Sequence, residues 1–404
     1  MADIAAGSIV KRPVVSQAAP ATNALTHRVR HPRIVGLDVM KSAAMYFVVL
    51  IHYVFYTTAY PDGAMMRFVS VAYQYSVPLF FMVNGALLLT RPLNLGKHYR
   101  KLGRLVVVTV VWKALYALLF WLQHDDAPVT LKAFISFELG TDEIDGHPSG
   151  FFWFLNALIG LHLIVPLLKM AFDALDRRIL WSVLWIVFGF AFVRCTLRIF
   201  LNFADAAYKT DLSSVLDNVT RFYMFGFYGY VIVYFVAGGL LMEKFMKYRD
   251  PETGRFAWPF PRFGMMAAIA CLVFCQVLLF VIQYFDSKFL DSGYQLDDSY
   301  QLIPGLLGTL LIFALFLMFR PSRRLSRVFT EIGSHTFGMY TTHVLLILVF
   351  LHVEERTGLS AALNSINPLL ALVVSLVMIA ILFALAWCVS WLGSRIPVVK
   401  KLFL

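Results

Sequence analysis

GLDVMKSAAMYFVVLIHYVF, residues 36–55, is long and apolar enough to cross a bilayer as one helix, yet it carries Asp38, Lys41 and His52. A basic side chain at the centre of a membrane helix costs about 2.5 to 3.5 kcal/mol on insertion scales, so one retained there faces a bundle interior or a wet cavity. At about 100° per residue, the eleven steps from Lys41 to His52 end about 20° past three full turns, so both side chains share one face. Asp38 falls within about 60° of both, and the three span about 21 Å at about 1.5 Å per residue. An acid, an amine and an imidazole thus form one stripe along a helix that crosses the bilayer.

The rest of the chain agrees with that environment. Of 404 residues, 60% are hydrophobic and 15% charged, against about 25% charged in an ordinary soluble domain. The composition predicts an all-α integral membrane protein, because its long apolar runs exclude the short alternating strands of an outer-membrane barrel. About ten helices are expected, over 37–57, 67–90, 102–122, 151–170, 179–201, 227–243, 263–285, 302–319, 332–352 and 368–392. Residues 1–36, with Pro13, Pro20 and Pro32, read as a flexible basic arm, 37–392 as the transmembrane domain and 393–404 as a short basic tail. No apolar run of signal-peptide kind precedes residue 37.

The net charge of +11 is distributed as a topology signal, not as a nucleic-acid patch. Alternate connections, beginning with Lys11, Arg12, Arg28, Arg30 and Arg33 in the arm and ending with Arg395, Lys400 and Lys401, hold 25 basic residues; the intervening ones hold six. Both termini are therefore expected in the cytoplasm, and the acidic 123–150 connection outside. The connections 123–150, 202–226 and 286–301 are longer than hairpins in a helical bundle need, which makes them candidate lids or acceptor-binding loops. Cys195, Cys271, Cys275 and Cys388 all lie in apolar segments, as small buried hydrophobes and not as disulfide partners. The sequence shows no clustered metal ligands and no phosphate-binding glycine loop.

Residues 36–55 resemble the opening helix of the membrane acyltransferase-3 family, whose signature is Arg or Lys, ten residues, then His. VPLFFMVNGALLL at 77–89 is similar to that family's second helix, with Asn84 where Ser is usual. FWFLNALIGLHLIVPLL at 152–168 and FGMYTTHVLLIL at 337–348 resemble two more of its helices, the latter often holding a Tyr and a His at this spacing. The resemblance implies a polytopic O-acyltransferase of the bacterial cytoplasmic (inner) membrane. Its partners would be an acyl-CoA donor, commonly acetyl-CoA, and a sugar hydroxyl of a surface polysaccharide or lipid-linked glycan.

The chemistry of the stripe is compatible with that expectation. Acyl transfer from a thioester needs a base for the hydroxyl proton or a nucleophile to hold the acyl group, and an imidazole serves for either, which makes His52 the candidate. Lys41 suits the donor's phosphates, and Asp38, three residues before it, is placed to hold it. Lys113, in mid-segment, is a further candidate for the donor. Arg194 and Arg198 are candidates for an anionic acceptor, and Tyr340 with His343, on one face, for a polar wall of the acceptor site. Each has a plainer counterpart: a Lys or Arg near a helix end snorkels, and a membrane His, His162 included, hydrogen-bonds a neighbouring helix. A secondary transporter or flippase also needs buried charges along a crossing path. Against it stands the absence of a visible inverted repeat, and a purely scaffolding role leaves Lys41 and His52 unexplained.

Overall fold

The computed structural model describes residues 33–57, 71, 74–123, 130–139, 149–286 and 300–403. Among them the regular structure is helical, apart from one isolated bridge between Arg249 and Phe256. In chain order the helices are α1 Val35–Tyr56, α2 Ser76–Leu88, α3 Leu95–Gln123, α4 Leu131–Glu138 and α5 Trp153–Asp173. Next come α6 Arg178–Phe188, α7 Arg194–Tyr208, α8 Leu212–Val219, α9 Tyr230–Lys247 and α10 Met265–Phe285. The series ends with α11 Ile303–Met318, α12 Arg323–Thr357, α13 Leu359–Ser365, α14 Pro368–Arg395 and α15 Lys400–Phe403.

Where they are described, the expected apolar segments lie on helices, 179–201 on α6 and α7 together, while 67–70, 72 and 73 of the second segment lie outside the described residues. Seven of these are long and apolar enough to cross a membrane, counting α6 and α7 as one span joined through a π-turn at Gly189–Val193. The helices α2 and α11 are shorter, and α9 closes on Glu243, Lys244 and Lys247. This is a multi-pass membrane protein. The arm before residue 33 and most of the 123–150 and 286–301 connections lie outside the described residues.

Helix ends follow local chemistry. Thr130 caps α4 by accepting from the Ala133 N–H, and Asn367 caps α14 through Leu369 N, with Pro368 at the first helical position. Gly358 ends the 35-residue α12 in the left-handed conformation, at φ 69°, a position that suits glycine.

Helix α1 lies at the centre. It packs against α2, α11, α12 and α14, and 61% of its most apolar window is buried, against 22% for α10. Small residues set the approach of its neighbours. A Cβ at Gly36 would stand 2.6 Å from the Phe316 carbonyl oxygen, and one at Gly333 would stand 3.0 Å from Asp38. The tightest crossing is α2 on α9, where a Cβ at Gly85 would lie 1.7 Å from Phe235 O and one at Gly238 would lie 2.0 Å from Met82 O. Both obstacles are backbone, so neither can turn aside.

Gly85→Leu or Gly238→Leu should therefore separate α2 from α9. The expected loss exceeds the about 1–3 kcal/mol of ordinary overpacking, and fluorescence-detected size exclusion should show aggregated protein. Gly160→Ala, where nothing lies within 4 Å of the added carbon, is the control that should stay monodisperse.

Candidate active site

The stripe on α1 meets α12 along its length. At one end Lys41 Nζ pairs with Asp38 Oδ1 at 2.9 Å and donates to the Gly333 carbonyl at 2.8 Å. Asp38 is buried and Lys41 keeps a partly exposed side chain. An ammonium has three donors, so one N–H remains after these two contacts. Lys41 lines a cavity of about 200 Å³ together with Phe80, Asn84, Phe154, Thr336 and Tyr340 among others. The walls are mainly apolar. Asn84 Nδ2 donates to Phe80 O at 2.9 Å, which leaves its amide oxygen free for a ligand among the described residues.

About three turns along the stripe, His52 faces His343. The rings are nearly perpendicular, with centroids 4.8 Å apart and His343 Nε2 3.3 Å from His52 Nδ1. Backbone carbonyls assign the protons. His52 Nδ1 lies 2.7 Å from Val48 O and His343 Nδ1 lies 2.5 Å from Tyr340 O. A carbonyl can only accept, so each Nδ1 carries its hydrogen. His343 Nε2 is then a lone pair directed at the His52 Nδ1–H, which Val48 O and His343 share. His52 Nε2 is left with a lone pair and no hydrogen-bond partner among the described residues. That nitrogen is the open acceptor position of the cluster.

Aromatic rings close the surroundings. Phe151 stands edge-on to both imidazoles, with centroids 6.0 Å from His52 and 5.4 Å from His343, and its carbonyl accepts the Tyr340 hydroxyl. Tyr340 also lines the Lys41 cavity, so it joins the two ends of the site. Tyr116 ties α3 to the same place by donating to Thr341 O at 3.1 Å.

Of the residues singled out from the sequence, Asp38, Lys41, His52, Tyr340 and His343 come together. The others have separate partners. Lys113 is buried and donates to Phe137 O at 2.6 Å and Glu138 O at 3.2 Å, tying down the C-terminal end of α4. Burial raises the Glu138 carboxyl above its usual range, and Lys113 opposes the shift. Arg194 and Arg198 share Asp217 on α8, at 3.5 and 3.2 Å. His162 stacks on His98, with Nδ1 bonded to Leu158 O. The four cysteines are free.

Two contributors were missed by sequence reasoning. Phe151 looks like any interfacial aromatic, and nothing in its spacing marks it. Glu354 is buried and accepts from Tyr53 Oη at 2.6 Å, next in sequence to His52. It does carry a signal: Glu354 follows His343 by eleven residues, the interval that separates Lys41 from His52 on α1.

The sequence profile described as an acyltransferase domain matches residues 34–388, from the start of α1 into α14. The chain belongs to the acyltransferase-3 family. No curated protein and no solved structure matches it significantly. The match makes the protein an acyltransferase, and it spans every helix that contributes to the His52 cluster and the Lys41 cavity.

Lys113→Met tests the separate role of that lysine. Two charge-assisted bonds to α4 are lost, each of a kind worth about 1.5–3 kcal/mol. Hydrogen exchange across residues 131–138 should accelerate while exchange in α1 is unchanged; unaltered protection of α4 would contradict the assignment.

Proposed function

We propose that the protein transfers an acetyl group from cytoplasmic acetyl-CoA to a sugar hydroxyl of a surface polysaccharide or lipid-linked glycan, with His52 as the reacting base. The observation that carries this reading is the unpartnered Nε2 of His52, at the far end of the stripe whose near end, Lys41, opens on a cavity. His52 Nε2 takes the proton of the sugar hydroxyl as its oxygen attacks the thioester carbonyl. The tetrahedral intermediate collapses, the carbon–sulfur bond breaks, and the imidazolium returns its proton to the departing CoA thiolate. While His52 is charged, its Nδ1–H is held by Val48 O and His343 Nε2, both acceptors suited to a cation. The same free nitrogen suits the variant in which His52 first accepts the acyl group itself.

Lys41 supplies charge for the donor. Its spare N–H meets a phosphate at the cytoplasmic end, while Asp38 and Gly333 O hold the amine in place. The about 16.5 Å between Lys41 and His52 along α1 leaves room for the extended arm that joins the phosphates of CoA to its sulfur. The reading includes ten crossing helices with both termini cytoplasmic, supported by the 25-to-six division of basic residues. Cysteine labelling should then reach the α9–α10 connection from the cytoplasm only; labelling there from outside alone would reverse the site.

The decisive measurement is release of free CoA from acetyl-CoA by purified protein in nanodiscs with a lipid-linked glycan acceptor. His52→Ala should lower turnover by about two to four orders of magnitude with insertion intact, and near wild-type turnover would end the assignment. Lys41→Arg should retain substantial activity. Lys41→Ala should raise KM for acetyl-CoA, because the donor loses its cationic contact; an unchanged KM would remove Lys41 from the donor site.

A further inference from the structure

The C-terminal tail is not a loose end. After α14 it turns back, and α15 lays Phe403 into a socket floored by two glycines. A Cβ at Gly393 would stand 2.5 Å from the Phe403 ring and one at Gly338 would stand 2.7 Å from it. Trp112 of α3 meets the Phe403 ring edge-on at 5.5 Å and donates from Nε1 to Leu402 O at 3.0 Å. This hook stands off from α3 further along, and between them runs a slot of about 640 Å³ lined by Gly103, Arg104, Val107, Val108, Val398, Val399, Lys401 and Leu402. Its walls are valine and leucine, its floor includes a glycine with nothing within 4 Å of an added carbon, and Arg104 and Lys401 flank it.

The cations around the slot have no acidic side chain paired with them among the described residues. Arg100, Lys101, Arg104, Lys400 and Lys401 are all exposed, and none has an ion-pair partner among the described residues. Neither contributing segment has an acidic side chain: residues 91–123 and 368–404 contain no Asp or Glu. Arg104 makes one bond to the tail, from Nη2 to Lys401 O at 3.3 Å, and the rest of its guanidinium remains available. An occupant that satisfies both features needs an anionic head and an apolar chain.

We propose that the slot between α3 and the C-terminal hook binds an anionic phospholipid, its phosphate between Arg104 and Lys401 and one acyl chain along Gly103, the valines and Leu402. Basic pockets between membrane helices recognise such headgroups, and each nearby cation contributes to the attraction. The lipid forms the missing wall of the hook. Because the hook seats Phe403 on Gly338 of α12, five residues before His343, lipid binding and the ordering of that helix are linked. The inference requires only that the protein sits in a membrane, and it stands or falls separately from the acyl-transfer reading.

The test uses the full chain in nanodiscs of phosphatidylcholine with or without phosphatidylglycerol. Bound lipid is counted by native mass spectrometry and stability is followed by melting temperature. Two cations imply a preference for phosphatidylglycerol of about tenfold or more, with a higher melting temperature in its presence. Arg104→Gln/Lys401→Gln should abolish both differences. Gly103→Leu keeps every charge but fills the slot, and should also abolish lipid retention. Arg323→Gln/Arg324→Gln, which removes two exposed cations elsewhere, should leave both differences intact. Retention by the Gly103→Leu variant would show that headgroup attraction alone suffices and would overturn the slot; retention by the Arg104/Lys401 variant would overturn the site altogether.

Discussion

A charge in hydrocarbon must be answered by a partner or by water, and this requirement organises the protein around α1. Lys41 cannot stand alone on an apolar helix, so Asp38 sits one turn before it and the Gly333 carbonyl accepts a second of its three hydrogens. That closure has a steric condition. Any side chain at 333 would press on Asp38, so the residue there is glycine and α12 can approach α1 closely enough to supply its carbonyl. The meeting of α1 and α12 brings His343 to His52. One electrostatic demand near the end of a helix thereby sets the register of the site about three turns away.

The two histidines show how backbone atoms can set the tautomers of a pair of imidazoles. Each Nδ1 faces a carbonyl of its own helix, four residues back in one case and three in the other. Fixing both protons on Nδ1 makes the pair directional, with His343 accepting from His52 and His52 Nε2 left as a lone pair. Phe151 and Tyr340 then restrict how far the rings can turn, since the Tyr340 hydroxyl is itself held by the Phe151 carbonyl.

What was legible in the sequence is what depends on local periodicity. The shared face of Asp38, Lys41 and His52, the Asp38–Lys41 pair and the positions of the apolar helices follow from angle and length along one chain segment. Partners that come from distant segments were not legible. His343 and Tyr340 were singled out as residues, but their contact with His52 and with Phe151 depends on how α12 and the start of α5 pack. Lys113 read as a candidate for the donor because its acceptors are main-chain carbonyls of α4, which any sequence would offer. The hook was read as a basic tail, since a terminal Phe among lysines says nothing of a glycine socket on two other helices.

The polar groups inside the bundle separate by how fully they are answered. Arg194 and Arg198 share the half-exposed carboxylate of Asp217 near the end of their helix, and the buried Lys113 donates to two carbonyls of α4. The site residues are held only in part. Lys41 is fixed by two contacts with a third hydrogen left over, and His52 is fixed through one nitrogen with the other open. An unfilled valence at membrane depth is costly, because no solvent of the bilayer core can fill it. Two such points lie on one face of α1, the first of them lining a cavity, and they are what the proposed acyl-transfer reading rests on.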